Sequence, residues 1–582
     1  MENMEIAAVL KELGDLLEIK GSNPFRIRAY RNAVRTINDL TRPLAAMLES
    51  GEDLTELSGI GKEMASHIGE LVEWGELGAL ESLGEEVPRT LTDLICLDGV
   101  GPKKAKRLWD ELGVTSVDEL ERALSEDRVA VLDGFGKKSA EKMVRSIQDF
   151  RKHQGRFLLS EADVLIKPLI RYLEETAGVD RVEVAGSYRR RQETVGDIDL
   201  LALCEGDRDE VMACFQAYPG AVRVEAAGGT KGRILLRSGL PVDIRIISRE
   251  SFGAALHYFT GSKEHNVAVW TLGVREGLKI NEYGVFSEEG SGSGGEEKVG
   301  GEAEEDVFRA VGLPWISPLL RENRGEVEAG RGGRLPEVVT LSDIRADLQM
   351  HSTWSDGANS LKEMVEACRD RGYEYMSITD HSQAVTVAGG LTPQRVRDQW
   401  DEVEEVRQSV DGIHLFRSLE VDILKDGSLD MPDDVLADLD LVLVSVHSFM
   451  SMSKVEMTDR VIRALEHPEV DILAHPTGRI LNRRQPFALD VEAVLQAAAS
   501  FDVTVELNAH PSRLDLHDRH LRRAKELGVK VAVSTDAHSI QDLDLMRYGM
   551  DQAGRGWLEV GDVLNALSLE DFQAWRQRKL TA

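Results

Sequence analysis

The chain has 582 residues, with 70 Lys or Arg against 102 Asp or Glu, which gives a formal net charge of −32. This length predicts about three to five domains, and a hydrophobic content of 42% is enough to build their cores. The acidity argues against a whole-surface electrostatic grip on nucleic acid. Any such contact is therefore expected on local basic stripes.

The cysteines are sparse and show no Cys-x-x-Cys spacing; they are Cys96, Cys204, Cys214 and Cys368. This usage excludes a disulfide framework and fits a reducing cytoplasm. The first residues, MENMEIAAVLKELG, are acidic and lack the basic and apolar regions of a signal peptide. The longest apolar run, at 441–446, is too short to span a bilayer. We expect a cytoplasmic monomer without membrane contact.

The N-terminal part, up to about position 150, predicts helices, because apolar residues recur at spacings of three and four. Three units with a Gly-x-Gly turn punctuate it, at 57–65, 97–105 and 132–140. Glycines at such a turn leave backbone N–H groups free to meet a phosphate, helped by the following helix N-terminus. One unit is typical of an ordinary turn between helices, but three aligned units with trailing lysines indicate helix-hairpin-helix motifs that hold DNA backbones. The predicted DNA-binding residues are Gly59, Gly61, Gly99, Gly101, Gly134, Gly136, Lys103 and Lys104.

Short β-rich runs replace the helices at 182–247, and one of them carries the pattern Asp197-Ile198-Asp199. Alternate residues of a strand share a face, so both carboxylates are expected to point the same way. Asp243 offers a third carboxylate on a neighbouring strand. Three converging carboxylates are what two hard divalent cations need. The turn at Gly186 and Ser187 precedes them, and its N–H and hydroxyl groups could cradle a triphosphate, with charge added by Arg190.

These residues resemble the nucleotidyltransferase fold and, within it, the DNA polymerase beta-like family X polymerases. YFTGSKEHN (258–266), INEYG (280–284) and PFRIRAYRNAV (24–34) resemble that family's nucleotide-binding turn, thumb and DNA-end-binding domain, so the resemblance covers residues 1–320. It implies Mg²⁺ or Mn²⁺ at Asp197, Asp199 and Asp243. It also implies nucleotide contacts at Gly186, Ser187, Arg190, Tyr258, Phe259, Gly261, Lys263 and Asn266.

Two positions depart from the family pattern. His67 stands where the family's lyase activity uses a Schiff-base lysine, and Trp270 stands where an arginine usually meets the template strand. Imidazole does not readily form a Schiff base, so the lyase activity is not expected. Template checking is expected to differ from that of the family.

Two Gly-rich, charged segments follow, an acidic loop at 287–306 and a linker at 321–338. We expect the first to be flexible. From 341 onward, short apolar strands alternate with helical stretches, which predicts a βα barrel. Ten of the 14 histidines lie in this last part, 341–582, which marks it as a module with its own chemistry.

Most His- and acid-containing motifs of this module follow an apolar strand. In a barrel, residues at the C-terminal ends of strands gather round one mouth. The candidate ligands are His351, Asp356, His381, Glu420, His447, His475, Asp536 and His538. Imidazole and carboxylate together suit two or three ions of Mn²⁺, Zn²⁺ or Fe²⁺, and such a cluster can clamp a phosphodiester.

This set resembles the PHP (polymerase and histidinol phosphatase) domain, a family of metal-dependent phosphoesterases. The resemblance implies 3′-to-5′ exonuclease and end-processing chemistry on DNA. The first family motif normally reads His-x-His, whereas this chain has Gln349-Met350-His351. An amide oxygen is a weaker, neutral ligand, so one metal position is expected to be loosened.

The sequence thus predicts a multidomain chain with helix-hairpin-helix regions, an α+β nucleotidyltransferase palm with a thumb, and a C-terminal (βα) PHP barrel. The expected boundaries are 1–85 for a helical DNA-end-binding domain, 86–155 for a fingers-like helix-hairpin-helix domain, 156–250 for the palm, 251–320 for the thumb, 321–340 for a linker and 341–582 for the PHP domain.

The leading hypothesis is a family X DNA polymerase that fills short gaps in base excision or end repair. Its partners would be gapped or nicked duplex DNA, 3′ ends and dNTPs, and its PHP domain would trim 3′ ends. Two alternatives stay open. One is a nuclease or phosphatase whose polymerase half mainly binds DNA, and the other is a non-catalytic scaffold at DNA ends.

Overall fold

The computed structural model describes residues 3–39, 44–57, 59–97, 99–132, 135–153, 155–175, 178–287 and 297–581. The chain divides into two compact units, Met1–Gln154 with Asn482–Arg484, and Gly155–Leu481 with Gln485–Ala582. Within the described ranges, no helix has the length and apolar character needed to cross a membrane.

The first unit is helical, as predicted. Its helices are α1 (Asn3–Lys20), α2 (Pro24–Asp39), α3 (Leu44–Glu49), α4 (Lys62–Trp74), α5 (Gly78–Glu86), α6 (Leu91–Ile95), α7 (Pro102–Leu112), α8 (Val117–Ser125) and α9 (Lys137–His153). One apolar cluster runs through this unit and includes the fully buried Leu10, Tyr30 and Leu108. Pro102 at the first position of α7 and the Ser116 hydroxyl, which accepts from Glu119 N, explain why α7 and α8 begin where they do.

The segment predicted to be the palm folds as a mixed sheet with helices on it. Its elements are β1 (Phe157–Leu158), α10 (Leu159–Glu174), β2 (Arg181–Val184), α11 (Gly186–Arg189), β3 (Thr194–Val195), β4 (Ile198–Leu203), α12 (Arg208–Gln216), β5 (Ala221–Ala227), β6 (Lys231–Leu236) and β7 (Pro241–Ile247). The strand order is β2-β4-β7-β6-β5, and only β4 and β7 run parallel. Leu200 and Leu201 of β4 belong to different apolar clusters, so this strand is covered on both faces.

The next part of the chain contains the segment predicted to be the thumb and runs on into the predicted linker. Its elements are α13 (Phe252–Thr260), α14 (Lys263–Arg275), β8 (Leu278–Asn281), β9 (Gly284–Ser287), β10 (Glu297–Gly300), α15 (Glu304–Ala310) and α16 (Glu326–Arg331). The strands form an antiparallel sheet in the order β10-β9-β8.

Both Gly-rich segments contain regular structure. Of the acidic loop, 288–296 lies outside the described residues, whereas the remainder contributes β10 and the start of α15. The buried Glu304 lies near the end of that stretch, and its Oε1 is 2.7 Å from Nη1 of the fully buried Arg321. The segment that the sequence assigns to a linker therefore begins with a buried arginine and continues into α16. Local Gly content did not predict this because the anchoring partners lie elsewhere in the chain.

The C-terminal part is a parallel barrel of alternating strands and helices. Its strands are β11 (Ala346–Asp347), β12 (Tyr375–Ile378), β13 (His414–Asp422), β14 (Leu441–Ser445), β15 (Ile472–Leu473), β16 (Thr504–Asn508) and β17 (Val531–Ser534). Its helices are α17 (Leu361–Asp370), α18 (Pro393–Ser409), α19 (Asp433–Leu436), α20 (Lys454–Leu465), α21 (Val491–Ser500), α22 (Asp518–Glu526), α23 (Met546–Arg555) and α24 (Leu569–Thr581). The strands follow one another in chain order round the barrel, and all pair in parallel.

The barrel nearly closes between β11 and β17. Met350 and Ala537 form an isolated parallel bridge just beyond the two strands. At the strands themselves, the Asn565 side chain donates to the carbonyls of Ala346 at 2.7 Å and Val533 at 2.8 Å, and accepts from Val533 N at 3.0 Å. A buried amide thus satisfies backbone groups that a direct strand pairing would otherwise use.

Candidate active sites

The palm carboxylates lie at one edge of the sheet. Asp199 on β4 is paired in register with Asp243 on the parallel neighbour β7, and Asp197 directly precedes β4. Parallel pairing at the same position is what places side chains from two distant segments side by side. The structure therefore brings the three predicted acids to one place.

The electrostatics of this edge are unfavourable for three like charges. Burial, together with the charges of Asp197 and Asp243, raises the pKa of Asp199 to about 6. Burial also raises the pKa of Asp243. A divalent cation would relieve this repulsion, and carboxylate oxygens are ligands that Mg²⁺ and Mn²⁺ accept. The residues therefore fit the predicted cations by their chemistry.

Arg233 is a component that the sequence analysis missed. It lies on β6 opposite Asp243, and its Nη2 is 2.8 Å from Asp243 Oδ2 and 3.5 Å from Asp197 Oδ2. Alternation along the strand Lys231–Leu236 gives the face on which Arg233 lies. Its partner Asp243 can be identified only when the register of β6 against β7 is known. Arg233 balances part of the negative charge that cations would otherwise neutralise.

The turn before β4 is built around Gly186. This glycine has φ = +61°, and a Cβ added to it would lie 2.5 Å from Asp199 Oδ2. The backbone N–H of Ala185 donates to the carbonyl of Asp199 at 2.7 Å. The predicted triphosphate turn, with Ser187, is thus fixed directly against the carboxylates, and glycine is required by both backbone and space.

Arg190 links this turn to the thumb. Its Nη1 donates to the carbonyl of Thr260 at 2.5 Å, and its Nε donates to Glu322 Oε1 at 3.0 Å. A Cβ added at Gly261 would lie 3.3 Å from Arg190 Nη1. Arg190 and Gly261, both predicted to contact the nucleotide, are therefore neighbours.

The rings of Tyr258, Phe259 and Trp270 form an aromatic patch, and the other predicted nucleotide contacts, Asn266 and Lys263, lie on the helix that follows. Asn266 Nδ2 donates to the carbonyl of Tyr258 at 2.8 Å, and the rings of Tyr258 and Phe259 meet edge to face at 4.9 Å. Trp270 stacks on Tyr258 with ring centroids 5.7 Å apart. Trp270, at the position where the family pattern has an arginine, thus packs within the patch. Lys263 is exposed at the first position of α14.

The helix-hairpin-helix turns have the expected backbone. Gly59 and Gly99 have positive φ angles, and Gly61 and Gly101 are the N-cap residues of α4 and α7. Lys104 Nζ donates to the carbonyl of Gly99 at 2.9 Å, which keeps its charge at the turn. The N-cap glycines leave N–H groups for an anion, as the phosphate prediction requires. Lys103 lies in the first turn of α7 and Gly136 directly precedes α9, whereas Gly134 lies outside the described residues.

His67 lies on α4 beside Tyr30. Its Nδ1 is 3.3 Å from the Tyr30 hydroxyl, and burial lowers the pKa of the imidazole. The ring is therefore neutral at neutral pH. It occupies the lyase position as a packed, hydrogen-bonded side chain.

The barrel brings together all eight predicted ligands, and Glu420 lies at the centre of one group. Its carboxylate accepts from His475 Nε2 at 2.9 Å. It also lies 3.1 Å from His381 Nδ1 and 3.6 Å from Nε2 of both His447 and His351. Among the described residues, His381, Glu420 and His447 offer ligand atoms that all lie within 4.8 Å of one another.

A second group surrounds Asp356. Its Oδ1 is 3.5 Å from His538 Nε2, 3.7 Å from His381 Nε2 and 3.9 Å from His351 Nδ1. These four residues also meet the 4.8 Å spacing for a metal ion. Asp536 accompanies them, with Oδ1 3.1 Å from His351 Nε2. Two adjoining groups that share His381 fit the prediction of more than one ion.

Charge in the barrel is balanced between imidazoles and carboxylates. Burial alone would lower the pKa of His381, but the Glu420 carboxylate outweighs it and raises that pKa to about 9. Burial opposes ionisation of Glu420 too, yet His381 and His447 hold its pKa well below the usual range. Within the described part of the chain, the buried Nδ1 of His351 has no hydrogen-bond partner. An unsatisfied imidazole nitrogen among carboxylates is a ready metal ligand.

Gln349 makes a hydrogen bond to a carboxyl group, in place of the metal contact expected of the family histidine. Oriented by its surroundings, its amide nitrogen donates to Glu506 Oε2 at 3.0 Å, and both side chains are fully buried. Burial raises the pKa of Glu506 well above the usual range. The residue that replaces the family histidine is therefore held by a neighbouring carboxyl group.

The cluster of predicted metal ligands opens into a cavity of about 240 Å³. Apart from ligands, Arg513, Val385, Val387 and Ala388 line it. Arg513 was missed by the sequence analysis, although it lies in the loop that follows β16 at the same mouth of the barrel. Its Nε lies 3.6 Å from Asp536 Oδ2. A guanidinium beside the cluster suits a phosphate group.

Asp422 is a second missed residue. It is buried at the end of β13, accepts from His447 N at 2.9 Å, and lies 3.3 Å from His447 Nδ1. A carboxylate behind a ligating imidazole fixes its orientation and tautomer. The sequence could have indicated this role, because Asp422 lies two residues after Glu420 on the same strand and so shares its face.

Family models agree with this geometry. Helix-hairpin-helix models match residues 1–77 and, as a tandem, 91–149. The DNA polymerase beta thumb matches 255–322, and the PHP domain matches 347–510.

One relative decides the family. The DNA polymerase/3′-5′ exonuclease PolX of Bacillus subtilis (strain 168) is 39% identical over 580 residues, which cover 99% of this chain and 100% of that protein. This chain is a bacterial family X DNA polymerase with a PHP domain. The predictions of family and fold class are confirmed.

Two more distant relatives of this family X chain cover its parts. The DNA polymerase lambda of Rattus norvegicus is 24% identical over 353 residues, 55% of this chain and 56% of that protein. A probable phosphatase of Acetivibrio thermocellus is 30% identical over 201 residues, 33% of this chain and 78% of that protein.

Proposed function

We propose that this family X chain is a DNA-directed DNA polymerase that fills short gaps in base excision or end repair, and that its barrel removes nucleotides from 3′ ends. The observation that carries the proposal is the register of β4 against β7, which sets Asp199 beside Asp243 and against Gly186. The full-length similarity to a polymerase with exonuclease activity supports both halves.

In synthesis, Asp197, Asp199 and Asp243 would hold Mg²⁺ or Mn²⁺. When bound, such cations activate the primer 3′-hydroxyl and neutralise the leaving pyrophosphate. The Gly186 N–H and the Ser187 hydroxyl bind the triphosphate, and Arg190 adds a fixed positive charge. The aromatic patch of Tyr258 and Phe259 lies against the sugar, Asn266 near the base, and Lys263 reaches the nucleotide from α14.

In the nuclease reaction, the eight barrel residues would hold two or three ions of Mn²⁺, Zn²⁺ or Fe²⁺. When bound, these ions activate water and polarise the scissile phosphodiester. Asp422 orients His447, and Arg513 binds a phosphate oxygen at the cavity. Val385, Val387 and Ala388 give that cavity an apolar rim for a nucleoside.

DNA would be held mainly through its backbone by the helix-hairpin-helix turns, since these expose N–H groups rather than base-reading side chains. Because the chain is acidic overall, we expect binding along those stripes only, with strong salt dependence. We further propose that the protein acts as a monomer in the cytoplasm, with domains divided as the sequence predicts.

The test follows extension and degradation together on a 5′-phosphorylated gapped duplex, titrated with Mg²⁺ and Mn²⁺. Replacement of both Asp197 and Asp199 by Ala should abolish extension and spare degradation. His351→Ala should do the opposite. Asp180→Ala, an exposed palm acid, is the matched control. Extension that survives the double replacement would refute the polymerase assignment.

A second function for the barrel is a phosphatase, which the similarity to the probable phosphatase favours. The two are separated by a 3′-phosphorylated duplex. A phosphatase releases inorganic phosphate and leaves the strand length unchanged, whereas an exonuclease releases nucleotides. Predominant phosphate release would replace the exonuclease proposal.

A further inference from the structure

The barrel helix α23 packs against the residues that follow the triphosphate turn of the palm. Asp551 Oδ2 lies 2.7 Å from Arg191 Nε, and Gln552 Nε2 donates to Glu193 Oε1 at 2.6 Å. Both pairs cross from the PHP barrel to the palm. The docking site is therefore the loop that carries the predicted nucleotide-binding arginine.

Arg555, the last residue of α23, reaches deepest into this contact. Its side chain is 1% exposed, and its Nη1 donates to the backbone carbonyl of Arg190 at 2.6 Å. Its Nη2 pairs with the buried Asp518 at 2.8 Å, which Arg324 also holds at 2.9 Å. The guanidinium is thus locked on both sides, which gives it a single position.

Glu322 joins the same guanidinium to the side chain of Arg190. Its Oε1 accepts from Arg190 Nε at 3.0 Å, from Gln192 Nε2 at 2.5 Å and from Arg555 Nη1 at 3.1 Å. Burial disfavours the charged carboxylate, but Arg555 and Arg190 outweigh burial and lower its pKa. One oxygen therefore fixes two turn residues against the barrel.

We propose that Arg555 and Glu322 are positioning residues for nucleotide incorporation, through which the PHP barrel holds Arg190 in its triphosphate-binding place. The inference rests on the proposed function, in which Arg190 contacts the triphosphate. Arg190 is held by its backbone carbonyl, its Nε and its Nη1. Among the hydrogen bonds of the described residues, none uses Nη2, which is left for an anion.

A positioning role makes a specific kinetic prediction. Arg555 does not touch the carboxylates that hold the cations, so its loss should weaken nucleotide binding more than the chemical step. Without Arg555, both Glu322 and the Arg190 backbone lose an anchor. A long arginine side chain that is held less firmly must lose more rotamer freedom on every binding event. The dNTP KM should rise while kcat stays close to that of the wild type.

The experiment measures single-nucleotide insertion on gapped DNA against dNTP concentration for Arg555→Met, Glu322→Gln and Arg190→Ala in the full chain. We expect each to raise the dNTP KM about tenfold with kcat changed less than about threefold. Arg555→Lys, which keeps the charge without the fork, should give a smaller rise. Asp551→Asn is the control, since it weakens the same docking contact without reaching Arg190 or Glu322.

The double variant Arg190→Ala with Arg555→Met identifies the route. If Arg555 acts through Arg190, the second replacement adds little to the KM of the first. A wild-type KM in both Arg555→Met and Glu322→Gln, with a raised KM in Arg190→Ala, would overturn the positioning role. A wild-type KM in Arg190→Ala would instead refute its proposed triphosphate contact. An equal rise in Asp551→Asn would also overturn the inference, because it would assign the effect to docking in general.

Discussion

The acids at the edge of the palm sheet and those in the mouth of the barrel have different neighbours. Asp199 faces two further carboxylates, and burial with their repulsion raises its pKa to about 6. Glu420 lies among four imidazoles, and its pKa is held well below the usual range. We therefore expect the palm edge to be stabilised by the binding of cations and substrate, whereas the barrel centre balances much of its own charge. From this difference we expect the palm to bind its cations transiently, together with substrate, and the barrel to be a resident metal site.

Removing the central carboxylate of the barrel should have the largest effect. In Glu420→Gln, four imidazoles lose their common partner, so degradation should fall at least about 100-fold. The free energy of unfolding should fall by about 3 kcal/mol, as for a broken buried pair. Metal analysis, denaturant unfolding and 3′-end degradation measure the three effects. Glu405→Gln, on the exposed face of α18, is the control. Normal metal content with full degradation would contradict a resident site.

A clash at the palm edge should affect synthesis alone. In Gly186→Ala, the new Cβ would meet Asp199 Oδ2 at 2.5 Å in a left-handed backbone, so the carboxylate must move. We expect kcat/KM for dNTP to fall about 100-fold and degradation to stay unchanged. Gly239→Ala is the matched control, because Gly239 also has positive φ but a Cβ there has open space. Equal losses in the two variants would assign the effect to backbone strain.

Restoring the family histidine should sharpen the barrel half of the comparison. Gln349→His places an imidazole where an amide now donates to Glu506. We expect about tenfold tighter binding of one ion and faster degradation. Metal titration followed by calorimetry measures the affinity, with Gln349→Asn as the amide-retaining control. The prediction fails if the histidine variant binds metal no more tightly than the wild type.

The palm edge should also show the smaller, pH-dependent effect. Below pH 6, Asp199 takes up a proton that competes with the cation. The Mg²⁺ concentration for half-maximal extension should therefore rise about tenfold between pH 7 and pH 5. In the metal-free protein, the raised pKa of Asp199 makes the free energy of unfolding fall as pH rises, whereas a salt-bridged acid makes it rise. The folded state holds the proton more tightly than the unfolded state, so this stabilisation is lost as pH rises through about 6. A half-maximal concentration that does not change with pH would contradict the raised pKa.

The sequence predicted those parts of the two sites that depend on local periodicity. Asp197 and Asp199 share a face because strand residues alternate, and the barrel ligands meet because they end parallel strands. Arg233 escaped prediction because its role depends on the register of β6 against β7. Arg555 escaped because it lies 365 residues from Arg190, and no local pattern encodes which surfaces of two modules will dock.

Composition was also an incomplete guide to loops. The stretch 287–306 predicts a flexible segment by its Gly, Ser and Glu content, yet Glu304 within it is buried against Arg189 and Arg321. Two distant arginines compensate for the burial of that charge, and neither is visible in the composition of the loop. The assignment of the individual nucleotide and metal contacts stays a prediction for the variants above.

The position of Asn565 near the C-terminal end of the barrel sequence bears on when the nuclease domain can finish folding during translation. His351 leaves the ribosome early in the barrel sequence and His538 late, yet both belong to one group of predicted metal ligands. Asn565, which joins β11 to β17, follows every one of the ligands. The Asn565 contacts of this closure cannot form while the nascent chain is shorter than this residue. A ribosome-bound product that already carries the whole polymerase half would therefore still lack a finished nuclease.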